Sequence, residues 1–263
     1  MQLPVTGLPI DVRLPTGVED LLLCEARRLD ARLALALFSN VITPAQAGST
    51  PDWSALPVTD LDAGLLLLRR QMFGDQIVSD VACTHAECGG RIDIRFSIAE
   101  YLNEHRPATV PGLVASENGW HRLDPAAEGS ATGPILFRLP CVIDQVAAWD
   151  MPDRPRALIT RCIRSESLSE SVLTQVEAAL DTLAPSLCGL LESRCPLCET
   201  PFQVWFDPQQ YVLRELREQA FFVYDDIHLI ASQYHWTEAM ILSLPRPRRM
   251  AYAERIRAKM VKA

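Results

Sequence analysis

The chain predicts an α+β fold. A β unit carrying a four-cysteine zinc knuckle packs with N- and C-terminal helices, and a mixed α/β lobe is inserted between its two halves. Three observations predict this. The order strand, cysteine pair, strand, capped helix occurs twice, around Cys83/Cys88 and around Cys195/Cys198. Helical periodicity dominates both ends of the chain. Between the repeats the texture changes, and Pro107, Pro111, Gly112, Gly119, Pro125, Gly129, Gly133 and Pro134 punctuate it. The expected organisation is a discontinuous helical and knuckle domain, 1–104 with 188–263, around an inserted lobe, 105–187.

Each element has a local reason. Leu14-Pro15-Thr16-Gly17 leads into a helix over 18–36, with Leu21, Leu22, Ala26, Leu29 and Leu33 at helical spacing. Residues 38–53, with Asn40, Pro44, Gly48, Ser49 and Pro51, read as loop. A second helix over 60–73 takes Thr59 as N-cap and stops at Gly74, with Gly64 counting against it. A strand over 76–82 ends in the knuckle Cys83-Thr84-His85-Ala86-Glu87-Cys88-Gly89-Gly90. Residues 91–96 alternate as a half-buried strand, and Ser97-Ile98-Ala99-Glu100 is a capping box. In the middle, 119–123 and 135–139 read as a hairpin across a long loop, and helices are expected over 142–149, 156–163 and 169–183. The first pattern then returns. A strand over 187–194 meets Cys195-Pro196-Leu197-Cys198, and 202–206 alternates. Asp207-Pro208-Gln209-Gln210 opens one long helix to about Tyr234, with Val212, Leu216, Ala220, Val223, Ile227 and Ile230 on its apolar face. Thr237 caps a short helix over 238–243, Pro245 and Pro247 interrupt the chain, and a basic helix begins at Arg248.

The composition bounds the function. The chain has 263 residues, a mean hydropathy of +0.05 and a net charge of −8. No apolar run approaches the roughly 18 residues of a membrane span, and the N-terminus lacks the pattern of a secretory leader. Charge is uneven: residues 244–263 hold seven basic side chains and one acid, so the remainder is strongly acidic. A general nucleic-acid coat is disfavoured, and a local basic patch is not.

Eight cysteines are present, at 24, 83, 88, 141, 162, 188, 195 and 198. Two close pairs in a long chain without a secretion pattern read as metal ligation. Cys83, Cys88, Cys195 and Cys198 together supply the tetrahedral thiolate shell of a structural zinc site, with no open position for catalytic water. Buried free thiols are the alternative. His85 is assigned to the turn rather than the metal, and Cys24, Cys141, Cys162 and Cys188 to the core.

No phosphate-binding loop, dinucleotide fingerprint, nucleophile elbow or His-Glu-x-x-His helix occurs, and no enzyme activity is expected. Two alternatives follow from residues. The knuckles with Arg246, Arg248, Arg249, Arg255 and Arg257 suit a zinc-dependent nucleic-acid module. More weakly, Asp225, Asp226 and His228 suit a metal-dependent hydrolase.

One segment adds a resemblance. His235-Trp236-Thr237, then Ile241, Leu244-Pro245 and Arg248-Arg249 with Tyr252, resembles a motif of small phage tail and baseplate assembly proteins. The pattern is similar to the baseplate hub family of T-even-like contractile bacteriophages and related contractile injection systems. The resemblance covers about the last sixty residues; the cysteine knuckles and the inserted lobe depart from it. It implies a structural or chaperone-like role in assembling the baseplate or hub of a contractile particle, with baseplate or hub proteins as partners. It implies a location in the cytoplasm during assembly, or in the finished virion or injection particle. The implied docking residues are Trp236, Arg246, Arg248, Arg249, Tyr252 and Arg255.

Overall fold

The computed structural model describes residues 1–46, 51–85, 87–115, 119–123, 134–164 and 169–260. The readings of Gly48, Ser49, Ala86, Pro125, Gly129 and Gly133 lie outside these residues.

The N-terminal region holds two helices where the periodicity predicted one. Helix α1 (Gly17–Glu25) follows Thr16, which forms a capping box with Glu19. Helix α2 (Ala31–Val41) has its own cap: the Asp30 carboxylate accepts from the Arg32 and Leu33 amides, each at 3.1 Å. That cap breaks the helix expected over 18–36. Strand β1 (Ile10–Val12) pairs antiparallel with β2 (Ile42–Pro44), inside a stretch expected to be loop.

Helix α3 (Val58–Phe73) is the centre of the main core. Leu61, Ala63, Leu65, Leu66 and Leu68 are all fully buried, as in a helix surrounded on every side. Thr59 is not its cap. Pro57 holds that position, and the Thr59 hydroxyl donates to the Ala184 and Pro185 carbonyls at 3.2 and 3.1 Å. Gly64 is required by packing: a Cβ there would lie 2.2 Å from Cε2 of Phe38.

After the turn at Gly74, strand β3 (Gln76–Ala82) pairs with β4 (Arg91–Ser97) in register from Gln76↔Ser97 to Ala82↔Arg91. Ser97 then caps α4 (Ile98–Glu104). In the middle region, strands β5 (Val114–Ala115), β6 (Trp120–Leu123), β7 (Ile135–Arg138) and β8 (Ile163–Arg164) form an antiparallel sheet in that order. Its residues Ile135 and Phe137 share a second core with Val172, Val176, Ala179 and Leu180 of α7 (Glu170–Leu183). Helix α5 (Val142–Ala148) contributes Val142 to the main core instead, and α6 (Arg154–Arg161) follows it.

Strand β9 (Gly189–Arg194) then pairs with β10 (Pro201–Phe206), Gly189 opposite Phe206. Asp207 caps α8 (Pro208–Ala220). The long helix expected to Tyr234 ends here, and α9 (Val223–Tyr234) starts after exposed Phe221 and Phe222. The break lets the halves face different cores. Val212, Leu213, Leu216 and Ala220 of α8 enter the main core, while Ile230 of α9 packs with Ile241 of α10 (Glu238–Leu242) and Ile256 of α11 (Arg246–Met260). The chain is therefore a mixed α/β structure whose β region lies between N- and C-terminal helices.

Candidate metal centre

The β3–β4 and β9–β10 hairpins each end in a cysteine knuckle, and backbone hydrogen bonds shape both tips. Cys83 N donates to Gly90 O at 2.8 Å, and Cys88 N donates to His85 O at 3.1 Å. In the second knuckle, Cys195 N donates to Thr200 O at 3.1 Å and Glu199 N donates to Cys195 O at 2.9 Å. Gly89 and Glu199 each sit at φ 59°, the left-handed turn that redirects the chain after the second cysteine of each pair. Gly90 is where the knuckles meet. A Cβ there would lie 2.9 Å from Leu197 Cδ1 and 3.1 Å from Cys88 Sγ.

The four sulfurs expected to act together converge. The Cys83, Cys88, Cys195 and Cys198 sulfurs all lie within 4.8 Å of one another. Two contacts cross between hairpins: Cys83 to Cys198 and Cys88 to Cys195, both 3.7 Å. A tetrahedron with metal–sulfur bonds of about 2.3 Å has edges of about 3.8 Å, so the set fits a single tetrahedral ion. Below the sulfurs, Val81, Ile92, Ile94, Phe202 and Val204 form a small apolar cluster that joins the hairpins. The His85 backbone amide donates to Cys83 Sγ at 3.4 Å, the pattern of a turn residue that stabilises a thiolate.

As free thiols, Cys88 and Cys198 are shifted in opposite directions. The Thr200 hydroxyl, 3.3 Å from Cys198 Sγ, and the Thr200 amide lower the Cys198 pKa to about 6. Cys88 goes the other way: the Gly90 amide favours its thiolate, but neighbouring Cys198 and desolvation outweigh that and push it up to about 12. The other four cysteines are free and lie elsewhere: Cys24 donates to Ala220 O at 3.3 Å, Cys141 to Asp144 at 2.8 Å, Cys162 is buried and Cys188 half-buried.

The C-terminal candidates divide. Arg246 and Arg249 are buried and act inside the molecule. The Asp20 carboxylate accepts from Arg246 Nε at 3.0 Å and from Nη2 of both arginines. Asp226 accepts from Arg249 Nε at 3.3 Å and Arg257 Nη2 at 3.1 Å. This network ties α1, α9 and α11 together. Trp236 and Tyr252 are half-buried and meet edge-on at 5.2 Å beside Tyr234. Arg248 and Arg255 are exposed. Asp225 and His228 are exposed too, while Asp226 turns inward to the arginines, so the three do not converge. Asp20 lies in no motif that marks it as a partner of these arginines. The signal for their burial is on α11, where Arg246, Arg249, Ala253 and Ile256 recur at helical spacing along one face.

No family model, curated protein or solved structure matches the chain. Among the described residues, no helix is long and apolar enough to cross a membrane.

Proposed function

We propose that the chain is a non-enzymatic structural or chaperone-like component in the assembly of the baseplate or hub of a contractile phage tail or injection particle. Its four-cysteine centre holds zinc as a structural ion, and its C-terminal segment docks to baseplate or hub proteins.

The observation that carries this reading is the segment from His235 to Arg249, the part with the family resemblance. It forms a fixed corner. His235 ends α9 in the left-handed region at φ 53°, Thr237 caps α10, and Trp236 packs against Tyr252. Pro245 forms an isolated bridge with Thr16, and Arg246 and Arg249 bind Asp20. The conspicuous residues of the motif thus hold α11 at a set angle, and Arg248 and Arg255 are left on the outside. A rigid basic helix on an acidic protein suits a partner with an acidic or mixed surface. The zinc assignment is supported by the donor set: four thiolates select a thiophilic tetrahedral ion and leave no site for substrate.

The test is complementation of a host lacking this gene with Arg248→Glu/Arg255→Glu. The folded variant is expected to lose co-purification with baseplate or hub proteins and to abolish particle yield. Normal particle yield contradicts the docking assignment. Tight DNA binding by the purified protein, falling steeply with salt, would favour the nucleic-acid alternative.

A further inference from the structure

The two knuckle hairpins differ at their free edges. β3 with β4, and β9 with β10, form separate two-stranded sheets, so among the described residues each of these strands pairs on one side only. An unpaired edge is a template for another strand, and charged side chains are a common guard against it. β3 carries Asp80, β4 carries Arg91, Asp93 and Arg95, and β9 carries Glu192 and Arg194. β10 carries no charge: it reads Pro201-Phe202-Gln203-Val204-Trp205-Phe206.

The phase of the ladder fixes what that edge offers. The Cys195 amide donates to Thr200 O, which marks 195 and 200 as a hydrogen-bonded pair. Such pairs alternate along an antiparallel ladder. Residues 202, 204 and 206 therefore turn their backbone groups toward β9, and 201, 203 and 205 turn theirs outward. The outward row holds two N–H donors, at Gln203 and Trp205, because Pro201 has none. The same three residues are exposed on the outer face. Trp205, 62% exposed, stands opposite Leu190, 54% exposed, and the Gln203 side chain donates to Glu192 Oε1 at 2.8 Å. Phe202 and Phe206, on the other face, are buried.

We propose that this edge takes the β10 edge of a second copy of the chain, paired antiparallel about a two-fold axis at Gln203. Facing residues share a face of the sheet, so 203 lies opposite 203, and 201 opposite 205. The Gln203 amide then donates to the Gln203 carbonyl of the second copy, and the Trp205 amide to the Pro201 carbonyl, each in both directions. Both free donors of each copy are satisfied, and Pro201 has only to accept. The Trp205 ring lies across from Pro201 of the second copy. Centring one residue later would instead lay Pro201 against Asp207, where the other chain already turns into α8. Charge selects this occupant: of the four knuckle strands, β10 alone meets its like with no charged side chain of either strand at the junction. The two-fold uses both β10 edges, so pairing closes at two copies. Four backbone bonds and one aromatic contact make a small interface beside the roughly 1,200 Å² of a stable complex, so the dimer is reversible.

The test is sedimentation of the full chain, purified without chelators, in about 0.15 M salt, where net charge is screened beyond about 8 Å. A monomer–dimer equilibrium is expected between about 1 µM and 1 mM. Over the same range, hydrogen exchange should show the Gln203 and Trp205 amides gaining protection, with no gain at the outward amides of β9. Gln203→Lys and Gln203→Glu each set like charges face to face on an exposed position, and each is expected to weaken the dimer at least about tenfold. An equimolar mixture of the two variants should associate again, since opposite charges then face each other. A chain that stays monomeric to 1 mM, growth beyond two copies, a dimer indifferent to both variants, or a mixture no better than its parts would each overturn the proposal. So would protection of the β10 amides that appears only when another protein is added.

Discussion

Replacing Arg249 by Met keeps the aliphatic stem of the side chain and removes its charge from the buried junction of α1, α9 and α11. Arg249 is 1% exposed and bridges Asp20 and Asp226. Without it, Asp20 keeps only Arg246, and Asp226 keeps only the half-exposed Arg257. Removing one partner of a buried ion pair costs about 3–5 kcal/mol, because the remaining charge is stranded. Relief of the Arg249 Nη1, which has no partner among the described residues, offsets part of that, about 1 kcal/mol or more. The net expectation is a loss of about 3 kcal/mol, which for a chain of this size lowers Tm by roughly 6–12 °C. Differential scanning calorimetry reads the change, with exposed Arg248→Met as control. Adding Asp226→Asn to Arg249→Met is expected to cost less than the sum of the single changes, since the two share one network. An Arg249→Met protein that melts with the control, within about 1 °C, would refute the claim that this network fixes the C-terminal corner.

Two further predictions concern the main core. Gly64→Ala is expected to destabilise by about 1–3 kcal/mol, because its methyl would meet the Phe38 ring, and Phe38→Leu should recover part of the loss; denaturant titration measures both. Asp62 is buried, accepts from Gln209 Nε2 at 2.7 Å, and has its pKa raised to about 8 by desolvation. Its proton is held in the fold but lost from the unfolded chain above about pH 4, so its contribution is fully present below about pH 4 and lost as pH rises towards 8. Asp62→Asn keeps an acceptor for Gln209 and should flatten that slope, so the variant gains stability relative to the parent between pH 5 and 8. An unaltered slope would show that Asp62 is ionised in the fold.

The four-cysteine cluster was legible because much of its signal is local. Cysteine spacing marks each turn, the alternation of 91–96 and 202–206 marks the strands beside them, and tetrahedral chemistry, which asks for four such ligands, joins the two pairs. The helix breaks were not. Ala26 and Leu29 continue the α1 pattern, and Val223 continues that of α8, because apolar spacing is the same in a straight helix and in two helices facing different cores. Strands β1 and β2 are three residues each, too short for alternation to register. The burial of Arg246 and Arg249 depends on Asp20, more than two hundred residues away, and no spacing rule reaches that far. Thr59 shows the same limit: its hydroxyl serves carbonyls beyond α7 rather than its own helix.

The most direct test of the four-cysteine centre is metal analysis joined to X-ray absorption on protein purified without chelators. The expected result is about one zinc per chain, with four sulfur neighbours at about 2.3 Å, lost together with stability on strong chelation or in Cys195→Ser. Metal-free protein whose melting temperature is indifferent to chelation, or zinc bound through nitrogen or oxygen instead of the four sulfurs, would contradict it.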